Sequence, residues 1–155
     1  HRPLFQHLLM TYTNPIILTW FRRRTGSWSS QRRYLFAPKM KPTNMTTEFT
    51  IGEGERGNIF IVKWTGVTQG DMELVLEGNI CHRSRNYLND GADPSVIEVI
   101  DEDALVFKTE YDGMKIREEI RLLQSDTLAL RQTVSIDKKT QRTVIVGQYY
   151  ETRTL

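Results

Sequence analysis

The sequence predicts a mainly β fold: one antiparallel up-and-down β-barrel led by a short N-terminal α-helix. Three observations predict it. The 155 residues suit one domain, which buries about two thirds of the surface its unfolded chain exposes. From Gly26 onward the chain is a succession of short segments rich in Val, Ile, Thr, Tyr, Phe and Trp, the residues that fit a pleated surface. Compact Gly-, Asp- and Asn-rich turns separate them, too short for the crossovers that parallel strands need.

The helix comes first. Asn14-Pro15 reads as an N-cap followed by proline at the first helical position. Ile16, Ile17, Trp20 and Phe21 recur at helical spacing. Arg22, Arg23 and Arg24 fall in the last turn, where cations complement the helix dipole, and Gly26 ends the element. The arginine run is expected to be a solvated helix end, with an acidic partner as its alternative use. Residues 1–13 read as an N-terminal arm, or as a tag or transit remnant, and 14–155 as the single barrel domain.

The strands are expected at 27–36, 46–51, 58–64, 71–84, 95–100, 104–111, 115–123, 127–136 and 142–154. Turns fall at 52–58, 66–71, 89–94, 101–103, 112–114, 125–126 and 137–141. With roughly nine strands, closure removes exposed edges and leaves room for one small ligand.

Composition narrows the function classes. A formal net charge of +2 gives no broad nucleic-acid footprint. No apolar run approaches the roughly 20 residues that span a bilayer. Cys81 is the single cysteine, and with three scattered histidines it supplies no metal-ligand cluster. Cys81 and His82 are neighbours on a strand and point to opposite faces, so they do not form a nucleophile–base pair. Cys81 is expected to pack as a small hydrophobe. The motifs of hydrolases, P-loop proteins and zincins are missing.

The informative feature is charge within strands. In 127–136, Ala129, Arg131, Thr133 and Ser135 share a face; in 142–154, Gly147, Tyr149, Glu151 and Arg153 do. Such faces suit either solvent or a cavity wall, and buried charges are costly unless paired or matched by a ligand. Register decides whether Glu118 or Glu119 joins Arg131. A three-residue loop at 125–127 is expected, which puts Glu119 and Arg121 on the Arg131 face; a two-residue loop would put Glu118 there. Trp28 is expected to close the core, and Trp64 to pack or to line a pocket.

Several stretches, in order, resemble a known family. GSWSSQRRYLF (26–36) is similar to the leading strand of the S-type phycobiliprotein lyases, the CpcS/CpeS family. VKWTG (62–66), CHRSRNYL (81–88), TEYDGM (109–114), REEIRLL (117–123), LALRQT (128–133) and YYETR (149–153) resemble further family stretches, so the likeness runs from about Asn14 to the end. The resemblance implies a lipocalin-like barrel that binds an open-chain tetrapyrrole, phycoerythrobilin or a related bilin, and promotes its thioether attachment to a cysteine of a phycobiliprotein. It implies no permanent cofactor and no metal. The expected partner is an apo-phycobiliprotein subunit of the phycoerythrin type, in a cyanobacterial cytoplasm or an algal plastid stroma, without nucleic acid or membrane. A homodimer through strand edges or the basic helix is compatible with the pattern. Carried over residue by residue, Glu119, Arg131 and Glu151 become the pocket charges that do the chemistry. Arg32, Trp64, Arg121, Tyr149 and Arg153 become bilin contacts. The chain departs from the family where Ala129 replaces the first arginine of an L-R-L-R run, where Ile120 interrupts an E-E-R run, and in a shorter connection between Thr50 and Gly57. The alternative function is a lipocalin-like or fatty-acid-binding carrier of a small hydrophobic ligand, with no protein partner.

Overall fold

A computed structural model describes residues 13–84 and 93–154. The expectation for the first residues, much of the CHRSRNYL stretch and most of the turn at 89–94 therefore lie outside the described residues. Helix α1 is Pro15–Arg24. The strands are β1 (Gly26–Phe36), β2 (Lys41–Glu53), β3 (Ile59–Thr65), β4 (Gly70–Glu77), β5 (Ile80–Ser84), β6 (Ser95–Val99), β7 (Ala104–Tyr111), β8 (Met114–Leu123), β9 (Leu128–Asp137) and β10 (Thr143–Thr154). Each pairs antiparallel with its sequence neighbours, and β1 pairs with β10 to close the barrel. Closure pairs every strand on both sides, which removes the free edge a strand-mediated dimer needs.

Ten strands form where roughly nine are expected, because 71–84 is a hairpin. Gly78 takes φ 57°, and Glu77 pairs with Ile80 around Gly78-Asn79. A Gly-Asn dipeptide between two apolar runs is a two-residue hairpin signal.

Helix α1 lies across one end of the barrel. Asn14 Oδ1 accepts from the backbone of Ile16 at 2.9 Å and of Ile17 at 3.4 Å, satisfying helix-start donors. From Asn14 to Arg23 the helix touches one set of hairpin turns. Asn14 bonds Asn79, Trp20 Nε1 donates to the Asp103 carbonyl at 2.9 Å, Arg22 pairs with Glu53, and Arg23 pairs with Asp103 and Asp126. Its buried stripe is Ile17, Trp20, Phe21 and Arg24. Phe21 packs on Phe60 and Phe107 with ring centroids 5.2 and 6.0 Å apart. Trp28, Leu76, Ile97, Leu105 and Leu122 complete the core near this plugged end. Among the described residues, no helix is long and apolar enough to cross a membrane.

Candidate functional site

Above the helix plug, the barrel encloses a cavity of about 450 Å³, within the range of about 300–1,000 Å³ usual for small-molecule sites. Alternation along each strand sends every second side chain inward. On one side the wall is apolar: Phe49, Val62, Trp64, Met72, Leu74 and Phe107. On the other it is ionic, with Arg32, Glu118 and Arg131 facing the cavity and Arg24 rising from the floor.

Glu151 organises the ionic side. It is completely buried, and Arg24 is 2% exposed. Arg24 Nη2 donates to Glu151 Oε1. Ser30 Oγ donates to Oε2 at 2.6 Å, and Arg131 Nη1 donates to the same oxygen at 3.1 Å. Arg131 Nη2 also donates to Glu118 Oε2 at 2.8 Å. Arg32 Nε donates to Ser30 Oγ at 3.0 Å. Tyr149 shares a hydroxyl hydrogen bond of 2.8 Å with Tyr34, and the guanidinium carbons of Arg32 and Arg131 lie 4.5 and 4.7 Å from its ring centroid. Ala129 stands directly across from Glu151, and the cation that reaches Glu151 from the floor is supplied by the helix.

The charge states follow from this packing. Burial alone would push the Glu151 carboxyl up, but Arg131, Arg24 and the Ser30 hydroxyl overcome it and hold the group at about 2. Burial lowers Arg24 to about 10 against the pull of Glu151, so it is a cation at neutral pH. Arg131 is desolvated too, yet Glu118 and Glu151 raise it well above its ordinary value. Burial raises the Tyr149 phenol, so it stays a hydrogen-bond donor. Four arginines (24, 32, 83 and 131) stand against two glutamates (118 and 151), an excess of positive charge. Among the described residues, Arg24 Nη1 and Arg131 Nε are buried donors without an acceptor, a costly condition that an anionic or carbonyl-bearing ligand would relieve. No group of three metal-ligating side chains forms among the described residues.

A candidate phycocyanobilin lyase of Nostoc sp., CpcS 2, is 25% identical over an alignment covering 94% of this chain and 95% of its own. The S-type phycobiliprotein lyase CPES of Guillardia theta has the same fold, with a TM-score of 0.73 and 16% identity over 90% of this chain and 93% of that one. The chain is thus similar to the CpcS/CpeS lyases in sequence and in fold. A protein of unknown function from the DUF3598 family of Nostoc punctiforme shares the fold at a TM-score of 0.66 and 16% identity, covering 86% of this chain and 49% of its own. No family model matches the chain.

In this barrel, Arg32, Arg131, Tyr149 and Glu151 come together as one network, and Trp64 lines the opposite wall. Glu119 and Arg121 do not join them. The β8–β9 connection spans four residues, 124–127, so Ile120 pairs with Arg131 and Glu118 becomes the inward carboxylate. Glu119 faces outward beside Arg117, and Arg121 faces outward to Asp101 at 2.9 Å. The expected three-residue loop is thereby corrected: an even-length loop shifts the register by one, and every side chain of β8 changes face relative to Arg131. Arg153 sits below the floor, donating to the carbonyls of Arg23, Thr25 and Asp126, and closes the end of α1.

Arg24 is a site residue that the sequence reading leaves in solvent, and Glu118 is the alternative to Glu119 that the register selects. The expected solvated end of α1 is corrected for Arg24, which completes the i, i+3, i+4, i+7 stripe of Ile17, Trp20, Phe21 and Arg24 and therefore points into the barrel. That spacing was the available signal. For Glu118 no local signal exists, because its face depends on one turn.

Proposed function

We propose that this protein binds an open-chain tetrapyrrole in the barrel and promotes its thioether attachment to a cysteine of a phycobiliprotein subunit. Its kinship with the CpcS/CpeS lyases supports the reaction class. The observation that carries the reading is Glu151, a fully buried carboxylate held ionised at about 2 and bonded to Arg24 and Arg131, two arginines that line a cavity whose far wall is aromatic and aliphatic. A bilin has a conjugated plane for the apolar wall, pyrrole N–H groups for a carboxylate, and two propionates for arginines with unused donors. Phycoerythrobilin is the cargo we favour, and a phycoerythrin-type subunit the acceptor.

The chemistry asked of the protein is modest. The acceptor thiolate adds to the ethylidene carbon; one C–S bond forms, one C=C bond opens, and the proton lost by the thiol ends on the bilin. The barrel holds the bilin in one geometry and excludes competing nucleophiles. Glu151 and Arg131 keep the pyrrole system oriented and protonated. Cys81 lines the same cavity, but burial pushes its thiol up to about 11, so it stays protonated and does not compete for the cargo.

The test is titration of the purified protein with phycoerythrobilin and with phycocyanobilin, followed by absorbance and fluorescence, beside Glu151→Gln and Arg131→Ala. A saturable red shift with raised fluorescence, weakened by about tenfold or more in either variant, is expected. No spectral change with either bilin in folded protein would remove the reading. Displacement of a bound fluorophore by oleate alone would then favour the carrier that the apolar wall also accommodates.

A further inference from the structure

The outer surface of the barrel is divided. On β4, β6 and β7 the outward face is rich in charge, with Asp71, Glu73, Glu77, Glu98, Lys108 and Glu110 standing among Val75, Val96 and Val106. The outward residues of β9 and β10 carry no charge. Leu130 pairs with Tyr150, Gln132 with Gln148, and Val134 with Val146. Leu130 is 43% and Tyr150 51% exposed. Arginines flank this uncharged band. Arg33 lies beside Gln148 on β1, while Arg117 lies beside Val134 and Arg121 beside Leu130 on β8. The same strands form a depression of about 910 Å³ on the outside of the wall that carries Arg32, Arg131 and Tyr149 within.

We propose that this face docks the acceptor protein, and that the acceptor meets it with an apolar patch bordered by carboxylates. The inference rests on the bilin-transfer reading. An uncharged centre with an exposed tyrosine and leucine, edged by arginine, is the composition of a protein-binding patch, since aromatic residues and Arg are enriched at interfaces and charge is depleted at their centres. Charge sets the partner: of the five arginines along the depression, Arg33, Arg117 and Arg121 face outward against one carboxylate, Glu119, and Arg33 has no ion-pair partner among the described residues, so an acidic rim is attracted and a basic one repelled. The acidic face of β4–β7 makes the opposite side of the barrel a poor site for the same partner. Docking on the outer wall keeps the partner off the end of the barrel opposite α1.

Two outer variants, Tyr150→Glu and Arg33→Glu, test this with the full chain. Both side chains are exposed and on different strands, so loss of fold in one does not compromise the other. Each is titrated with bilin, then mixed with apo-phycoerythrin and apo-phycocyanin subunits, and covalent pigmentation is read by denaturing electrophoresis. Bilin affinity within about twofold of the parent, with pigmentation slowed by about tenfold or more and the gap to the parent narrowed by salt, is the expected result. Pigmentation at the parental rate in both variants would overturn the inference while leaving the cavity reading intact. A parent that binds no bilin would instead overturn the cavity reading. A parent that is dimeric by light scattering and becomes monomeric in the variants would assign the face to a second copy of this chain and overturn the acceptor proposal.

Discussion

Arg24 at the end of α1 and Glu151 on β10 are ion-paired inside the barrel across a sequence separation of 127 residues. One pair thus ties the plug to the closing strand, and both residues sit where the cavity begins. Removing one member of a buried pair leaves an uncompensated charge, which costs about 3–5 kcal/mol. Arg24→Met is expected to lose about that much in urea unfolding followed by tryptophan fluorescence, and Arg24→Met combined with Glu151→Leu to recover part of it. A single-variant loss of less than about 1 kcal/mol would show that the pair does not hold the plug.

Acid should expose the same pair. Glu151 titrates at about 2 when folded, against an ordinary 4.5. Because its folded value is depressed, its stabilisation is complete above about 4.5 and is lost as pH falls from there toward 2. At 1.36 kcal/mol per pH unit, the parent is expected to lose about 3 kcal/mol across that window on account of this group. Glu151→Gln should show a shallower slope over the same range. Exposed carboxylates such as Asp101 and Asp137 are also lowered, but they contribute equally to both proteins.

Glu118 and Glu119 are adjacent and chemically identical, so they make a clean test of register. Glu118 bonds Arg131 within the barrel; Glu119 is on the outer face. Glu118→Gln is expected to cost about 1–3 kcal/mol and to weaken bilin binding. Glu119→Gln should stay within about 0.5 kcal/mol of the parent. The reverse ranking would mean that β8 is shifted by one residue.

The orientation of Trp64 depends on a missing side chain. Gly70 lies across from it, and a Cβ there would fall 2.6 Å from Trp64 Cζ2 and 3.0 Å from Cε2. Gly70→Ala is therefore expected to displace the indole, to cost about 1–3 kcal/mol through overpacking, and to shift the tryptophan emission. Adding Trp64→Leu should relieve most of the loss, which an unrelated backbone effect at Gly70 would not allow.

Cys81 is 1% exposed, and burial pushes its thiol up to about 11. The native protein is expected to resist an aromatic disulfide reagent at pH 8 and to react fully once unfolded in urea. Rapid reaction of the native thiol would mean that the β4–β5 hairpin opens readily.

Much of this protein is local and was legible without its fold. The N-cap at Asn14, the helix to Arg24, the positions of most strands and the antiparallel meander follow from spacing, β-propensity and turn residues, each acting over a few positions. Arg131, Tyr149 and Glu151 stand at alternate positions of their strands, and alternation alone placed them on shared faces. Tertiary structure decided which faces look inward, whether Glu118 or Glu119 meets Arg131, and that Arg24 abandons the solvent for Glu151. The reason is physical. A strand's two faces are equivalent until the sheet closes, and a single residue in one turn exchanges them. A buried ion pair exists only when chain ends far apart in sequence are brought to the same low-dielectric site.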